Sequence, residues 1–254
     1  MGIKTAVLNG VFTLEIARPE KKNALTGEMY VALAQGLRDA CADGKVRSVL
    51  ITGQPGIFTS GNDLEDFMKR SGPIAEAPVV HFMHALLDCD KPVVAAVTGA
   101  AIGIGATLLL HCDFVYVSDE ARLAMPFASL GLVPEFASSL LLTQLVGGRK
   151  AAEKLLLGDP FTGADAVEYG IANAVLPTAE VAPHARRVAE RFNGLPPGAV
   201  RESKKLMRRG QLDAVKKAID AENEAFSARL GSPEAREAFT AFFEKRKPDF
   251  SRFE

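Results

Sequence analysis

The chain has 254 residues, 48% of them hydrophobic and 24% charged, with a formal net charge of −1. That length and composition bury a large core and suit one large domain, or one domain with a helical appendix. A balance so near neutrality, with no long Lys/Arg run, supplies no basic field for a nucleic acid, and none is expected as a partner.

In chain order, Ala6–Leu8 and Phe12–Ala17 read as a hairpin across Asn9-Gly10, a strong two-residue turn signal. Thr26 then caps a helix whose apolar positions Tyr30, Leu33, Leu37 and Cys41 fall at helical spacing. Val46–Thr52 is an apolar strand ended by Gly53, Val79–Leu87 is helical, Val93–Thr98 is a second strand ended by Gly99, and Phe114–Val117 is a third. Strand, glycine turn and helix thus recur at 46–68 and 93–111, which predicts parallel strands joined by helical crossovers. The uncharged run Pro92–Leu110 has nearly the length of a membrane span. Its three internal glycines and Val-rich first half make it a buried strand, turn and helix instead.

After about residue 140 strands nearly vanish. Residues 177–195, 197–209, 211–230 and 232–246 read as helices, punctuated by Pro177, Pro196-Pro197, Gly210 and Gly231-Ser232-Pro233. Lys204-Lys205 and Arg208-Arg209 alternate with apolar residues there, as a solvated helix face does. These helices need a surface to bury against, either the chain's own sheet or a neighbouring subunit.

Cys41, Cys89 and Cys112 lie far apart in sequence, odd in number, and form no disulfide or metal pattern, which suits a reducing compartment. His81 and His84 share a helix face with Asp88 but match no standard ligand motif, so an ordinary polar face is expected and no metal. With no signal segment and no peroxisomal ending, the expected location is cytoplasmic, away from membranes.

Two glycine turns, at Ser60-Gly61-Asn62 and Gly103-Ile104-Gly105, each open a helix. Amides at helix starts are unsatisfied donors, and two aimed at one point make an oxyanion hole that needs no particular side chain. Competing motifs fail: Leu108 stands where a dinucleotide fingerprint needs its third glycine, and no phosphate loop or nucleophile elbow is present. The remaining ingredient is an acid or base. Glu135 is the one carboxylate of the apolar run Ala121–Leu140. It reads equally as an exposed acid in the first turn of a helix after Pro134, or as a buried proton shuttle with a raised pKa.

Five stretches in this order resemble the crotonase, or enoyl-CoA hydratase/isomerase, superfamily: RPEKKNAL (Arg18–Leu25), FTSGNDL (Phe58–Leu64), GAAIGIG (Gly99–Gly105), PFASLGLVPE (Pro126–Glu135) and FEKRKPDF (Phe243–Phe250). The likeness covers essentially the whole chain. It implies an α/β fold with a repeated ββα spiral core, here 1–195, and a helical C-terminal trimerisation region, here 196–254. It also implies a homotrimer or dimer of trimers, and an acyl-CoA thioester as substrate with no separate cofactor. The family's oxyanion hole maps onto the amides of Asn62 and Ile104. Lys22, Ala24, Ser60, Gly61, Asp63 and Leu64 are expected to line the acyl-CoA site, together with Gly103 and Phe127, and the acyl pocket is expected from segments near 66–83 and 127–143.

Hydratases of the family add water with two glutamates, and the positions matching them here are Thr107 and Phe127, which departs from that pattern. The sequence is most similar to peroxisomal-type Δ3,Δ2-enoyl-CoA isomerases, which carry S-G-N-D-L and L-G-x-x-P-E-x-x-S-S, matched by Ser60–Leu64 and Leu130–Ser139, and whose single glutamate is the catalytic base. The resemblance therefore implies a double-bond isomerase with Glu135 as catalytic residue, and a mild effect for Asn62→Ala because only the amide acts. The alternatives are a hydratase or other crotonase-type enzyme, and a non-catalytic acyl-CoA-binding subunit.

Overall fold

A computed structural model describes residues 2–69 and 72–253. Strands β1 (Ile3–Leu8) and β2 (Val11–Ile16) pair antiparallel, with Leu8 opposite Val11. Asn9 and Gly10 between them both have positive φ, at 49° and 70°, as a tight hairpin turn of the twist-matched kind requires. Helix α1 (Gly27–Ala42) follows, its first turn closed by Thr26, whose side chain accepts from the Met29 amide.

Three strand pairs then alternate with helices. They are β3 (Ser48–Thr52) with β4 (Ile57–Thr59), β5 (Val93–Val97) with β6 (Ala100–Ile102), and β7 (Phe114–Ser118) with β8 (Arg122–Ala124). Helices α2 (Leu64–Lys69) and α3 (Pro78–Leu87) separate the first two pairs, and the single turn α4 (Ile104–Thr107) with a 3-10 turn at Leu108–His111 separates the last two. Beyond them come α5 (Ser138–Val146), α6 (Gly148–Leu155), β9 (Phe161–Thr162), α7 (Gly163–Glu168) and β10 (Ala174–Leu176). Four helices close the chain: α8 (Thr178–Glu190), α9 (Pro197–Arg209), α10 (Leu212–Leu230) and α11 (Pro233–Phe243).

The longer strand of each pair joins a six-stranded sheet of order β1-β2-β3-β5-β7-β10, and the shorter one joins a second sheet of order β4-β6-β8-β9. Neighbours are parallel except β1 with β2 and β8 with β9. This is the repeated ββα spiral that the resemblance implies, and the short second sheet is what sequence periodicity did not reveal.

The central strands β3, β5 and β7 of the large sheet are buried on both faces, which is why they read as unbroken apolar runs. Val49, Ile51, Val93, Ala95 and Val97 face the core shared with α1 and α3, while the alternate residues Leu50, Val94 and Ala96 face Val181, Ala185 and Val188 of α8. So α8 buries against the chain's own sheet. Helices α10 and α11 pack elsewhere, over the segment before α5. Gly131 lies so close to α11, at φ 68°, that a Cβ there would sit 2.6 Å from the Ala235 amide nitrogen. Arg229 of α10 also donates to the Gly131 carbonyl, at 3.1 Å.

Cys41 and Cys89, distant in sequence, are close in space: the packing of α1 and α3 brings their sulfurs to 3.4 Å as free thiols. His81, His84 and Asp88 make no metal cluster; among the described residues no group of three or more His, Cys, Asp or Glu has that geometry. No described helix is long and apolar enough to cross a membrane.

Candidate active site

The turn at Ser60–Asp63 is stitched to the loop that precedes α1. Asn23, fully buried, donates from its side chain to the carbonyls of Ile16 (3.1 Å) and Phe58 (3.1 Å) and accepts from the Arg18 amide at 2.7 Å. Thr59 donates to the Asn23 carbonyl at 2.7 Å and accepts from the Gly61 amide at 3.1 Å. The Leu25 amide donates to the Gly61 carbonyl and the Asp63 amide to the Leu25 carbonyl, each at 2.8 Å. Arg18 closes the clasp on Asp63 at 2.7 Å. Burial alone would raise the Asp63 pKa, but the Arg18 hydrogen bond, the Asp66 amide and the charges of Arg18 and Lys21 outweigh it, so this carboxyl is held ionised below its usual range.

Gly61, at φ 92°, has its backbone against the next strand; a Cβ there would lie 2.9 Å from the Ile102 carbonyl oxygen. Only glycine accepts both that conformation and that approach. The two glycine turns therefore touch. At the second, the Gly103 amide donates to Ala124, and the Gly103 carbonyl accepts from Ala106 and Thr107. Among the described residues, neither the Asn62 nor the Ile104 amide donates to any acceptor in the chain. Helices α2 and α4 are too short to add much dipole, so the resource on offer is the pair of free N–H groups themselves.

A cavity of about 650 Å³ lies at these turns. Lys22, Ala24, Ser60, Gly61, Asn62, Asp63, Leu64, Gly103 and Phe127 all line it, whereas Ile104 has its side chain in the core and Glu135 is not part of the wall. The lining also includes Phe226 of α10 and Phe242 and Phe243 of α11, which sequence reasoning missed. A second cavity of about 240 Å³ shares Asn62, Asp63 and Phe67 with the first and adds Tyr30, Ala77 and Val79. Of the two expected acyl-pocket segments, that near 127–143 borders the first cavity and that near 66–83 the second, with Phe67 bordering both; residues 70 and 71 lie outside the described residues.

Glu135 is not a first-turn helix residue: α5 starts three positions later, and the carboxyl is 4% exposed rather than solvated. Phe136 and Ala137, between them, have φ of 59° and 56°. Left-handed backbone at two non-glycine residues costs on the order of 1 kcal/mol each and persists only where surroundings impose it. One restraint is His111, whose Nε2–H donates to the Phe136 carbonyl at 2.7 Å with the two rings stacked at 3.8 Å. Burial chiefly, and the Arg208 charge in smaller part, pull the His111 pKa to about 4 against the opposing Phe136 bond, so it stays neutral. The other restraint is Glu222 of α10, which accepts from the amides of Ala137 (2.5 Å) and Ser139 (3.0 Å) and from the Ser139 hydroxyl (2.5 Å).

Glu135 Oε1 has no hydrogen-bond partner among the described residues. Burial, and next the charge of Glu222, push its pKa up to about 8. Tyr30 connects this carboxyl to the amide side of the site. Its hydroxyl donates to the Asn62 side-chain oxygen, and its pKa is raised by burial, then by the charge of Glu135, then by Asp66. The Asn62 side chain therefore holds a buried hydroxyl, a structural role beside that expected of its amide. Thr107 is fully buried, and its hydroxyl reaches only the Ile104 carbonyl at 3.5 Å; Phe127 presents carbon. Two free amides can stabilise charge on a carbonyl oxygen, and a carboxyl that titrates near neutrality can both take and return a proton on carbon beside it.

A sequence profile described as enoyl-CoA hydratase/isomerase matches residues 7–252. Enoyl-CoA delta isomerase 2 of Rattus norvegicus is 35% identical over 253 residues, covering 97% of this chain but 64% of that protein, so the chain spans less than two thirds of that relative's length. Among solved structures, Pseudomonas aeruginosa OdaA is 51% identical with a TM-score of 0.93, over 95% of this chain and 98% of that one. An enoyl-CoA hydratase/isomerase from Pseudoalteromonas atlantica T6c is 40% identical with a TM-score of 0.93, over 98% and 100%. The chain belongs to the enoyl-CoA hydratase/isomerase family.

Proposed function

We propose that the chain is a Δ3,Δ2-enoyl-CoA isomerase, an enzyme that moves a double bond from C3 to C2 of an acyl-CoA thioester. One observation carries the reading: Glu135 is a buried carboxyl whose Oε1 has no hydrogen-bond partner among the described residues and whose pKa is pushed up to about 8, and it stands without the pair of glutamates that water addition would use. Thr107 and Phe127 occupy those two positions. The name of the rat relative supports the same reading.

In this mechanism the ionised Glu135 removes a proton from C2 of a 3-enoyl-CoA. Charge moves to the thioester oxygen, where the Asn62 and Ile104 amides receive it. The protonated Glu135 then delivers the proton to C4, giving the 2-enoyl thioester. A base whose pKa lies near the working pH serves both halves of such a transfer. The apolar wall of Phe127, Leu132 and Phe226 keeps water from competing for the dienolate. CoA enters as part of the substrate and no other cofactor is required. Assembly as a trimer or dimer of trimers through 196–254 belongs to the same proposal, supported by the exposed Leu206, Met207 and Phe242, and is checked by light scattering on the eluted protein.

The deciding assay supplies 3-enoyl-CoA esters of several chain lengths and follows the appearance of 2-enoyl-thioester absorbance, with crotonyl-CoA hydration run alongside. Isomerisation well above hydration is expected. Hydration without isomerisation assigns the chain to the water-adding branch, and tight thioester binding with no turnover of either kind makes it a binding subunit.

A further inference from the structure

The turn that carries Glu135 is closed by a residue far away in the chain. Helix α5 has Ala137 at its N-cap, with no side chain able to accept from the first amides. Glu222, from the middle of α10, fills that role by accepting from the Ala137 amide, the Ser139 amide and the Ser139 hydroxyl. Its carboxyl is itself buried. The outcome is two carboxyl groups in one water-poor place, one accepting three hydrogen bonds and the other, at Oε1, none.

We propose that Glu222 is a positioning residue for the base: it clamps the left-handed Phe136–Ala137 turn that follows Glu135 and, by its charge, disfavours ionisation of Glu135. The inference rests on the reading of Glu135 as the base. Two neighbouring carboxyls in a poorly solvated site do not readily ionise together, and the proton settles on the one whose anion is worse solvated. Burial raises the Glu222 pKa as well, but three donors oppose it and stabilise the Glu222 anion, whereas the bare oxygen of Glu135 leaves its anion exposed to the full cost of burial. Glu222 thereby does two things for a proton shuttle. It fixes the direction of the carboxyl, and it sets how readily the carboxyl gives its proton up.

The other groups around Glu135 do not supply that charge. Tyr30 from α1 is a phenol whose pKa is raised, so it is neutral throughout the working range. His111 from the 3-10 turn at Leu108–His111 is neutral above about pH 4 and acts on the Phe136 carbonyl. Asp66 bears on Tyr30, and Arg208 on His111. Among the described residues, Glu222 is the charged group that bears on Glu135 itself. His111 thus shares the clamping role without the electrostatic one, which provides the control.

The experiment titrates the side-chain carboxyls of the ligand-free protein by carbon-13 NMR, using Glu135→Gln to assign the Glu135 signal, and records pH profiles of kcat and KM. Glu222→Gln keeps the side-chain shape and an acceptor for Ala137 but removes the charge. The expected result is a fall in Glu135 proton affinity of about tenfold or more, with the acid limb of kcat/KM moving to lower pH by the same amount. His111→Gln should lower kcat with the Glu135 titration in place. If Glu222→Gln fails to fold, Ser139→Ala removes one donor from Glu222 and should shift the Glu135 titration in the same direction by a smaller amount. A Glu135 titration unmoved by loss of the Glu222 charge, with only thermal stability reduced, reduces Glu222 to a helix cap and overturns the proposal. Because the titration needs no turnover, an active Glu135→Gln enzyme would defeat the base assignment separately.

Discussion

The turn at Gly61–Asp63 is fastened by partners at most 45 positions away, whereas the turn after Glu135 is fastened by Glu222, 85 positions downstream. The first uses residues suited to their task. Glycine takes the positive φ, and the buried Asn23 and Thr59 satisfy the loop's amides and carbonyls. The second puts phenylalanine and alanine where glycine would be easier and depends on His111 and α10 to hold them there. A locally determined turn offers fixed amides to a developing charge with little reorganisation. A turn imposed from a distance instead ties the reacting carboxyl to the packing of the C-terminal helices, so changes in α10 reach the chemistry while changes in α10 leave the amides in place.

Substitutions can sharpen this contrast, and the largest effect is expected on the amide side. Ile104→Pro deletes one free N–H at the first position of α4, where proline's fixed φ is tolerated. It should lower kcat on the order of 10²–10³-fold, the typical loss for one oxyanion donor. Turnover within tenfold of wild type would show that this amide is not used.

The carboxyl side should announce itself through pH. A folded-state pKa of about 8 against 4.5 for the free side chain means that the folded protein binds the extra proton between those values. Its contribution to stability is present below pH 4.5 and is lost as pH rises through 8. Gln mimics the protonated form at every pH. Glu135→Gln should therefore gain stability relative to wild type across that window, by an amount on the order of a few kcal/mol. Urea unfolding at several pH values measures it, and a difference independent of pH contradicts the burial argument.

A smaller effect tests the link between the two sides. Asn62→Ala keeps the amide but strands the Tyr30 hydroxyl, which should cost about 1–3 kcal/mol of stability. Tyr30→Phe in the same chain should recover part of that loss, a coupling that a double-mutant cycle reads directly. Strict additivity would mean that the bond carries no weight.

What could be read from the sequence follows the same division. The Asn9-Gly10 hairpin, the glycine turns and the apolar strands are local signals, and each stands where its residues indicated. Thr107 and Phe127 were legible because a residue type decides what it can do with a proton. Strands β4, β6 and β8 were not, since three residues carry no measurable alternation. Glu222 lies in a helix rich in Lys, Glu and Asp, where nothing marks one acid as buried. Tyr30 read as one apolar position in a stripe, and the thiol pair of Cys41 and Cys89 depends wholly on how α1 meets α3. For Glu135, the apolar setting was visible; its departure from helix was not, because neither Phe136 nor Ala137 favours a left-handed backbone.

The most direct measurement compares wild type with Glu135→Gln on a 3-enoyl-CoA ester, with calorimetric binding of the product thioester measured on both proteins. The account predicts that isomerisation disappears while binding stays within a few-fold, since the cavity wall and both amides are untouched. Substantial isomerisation by Glu135→Gln would contradict it.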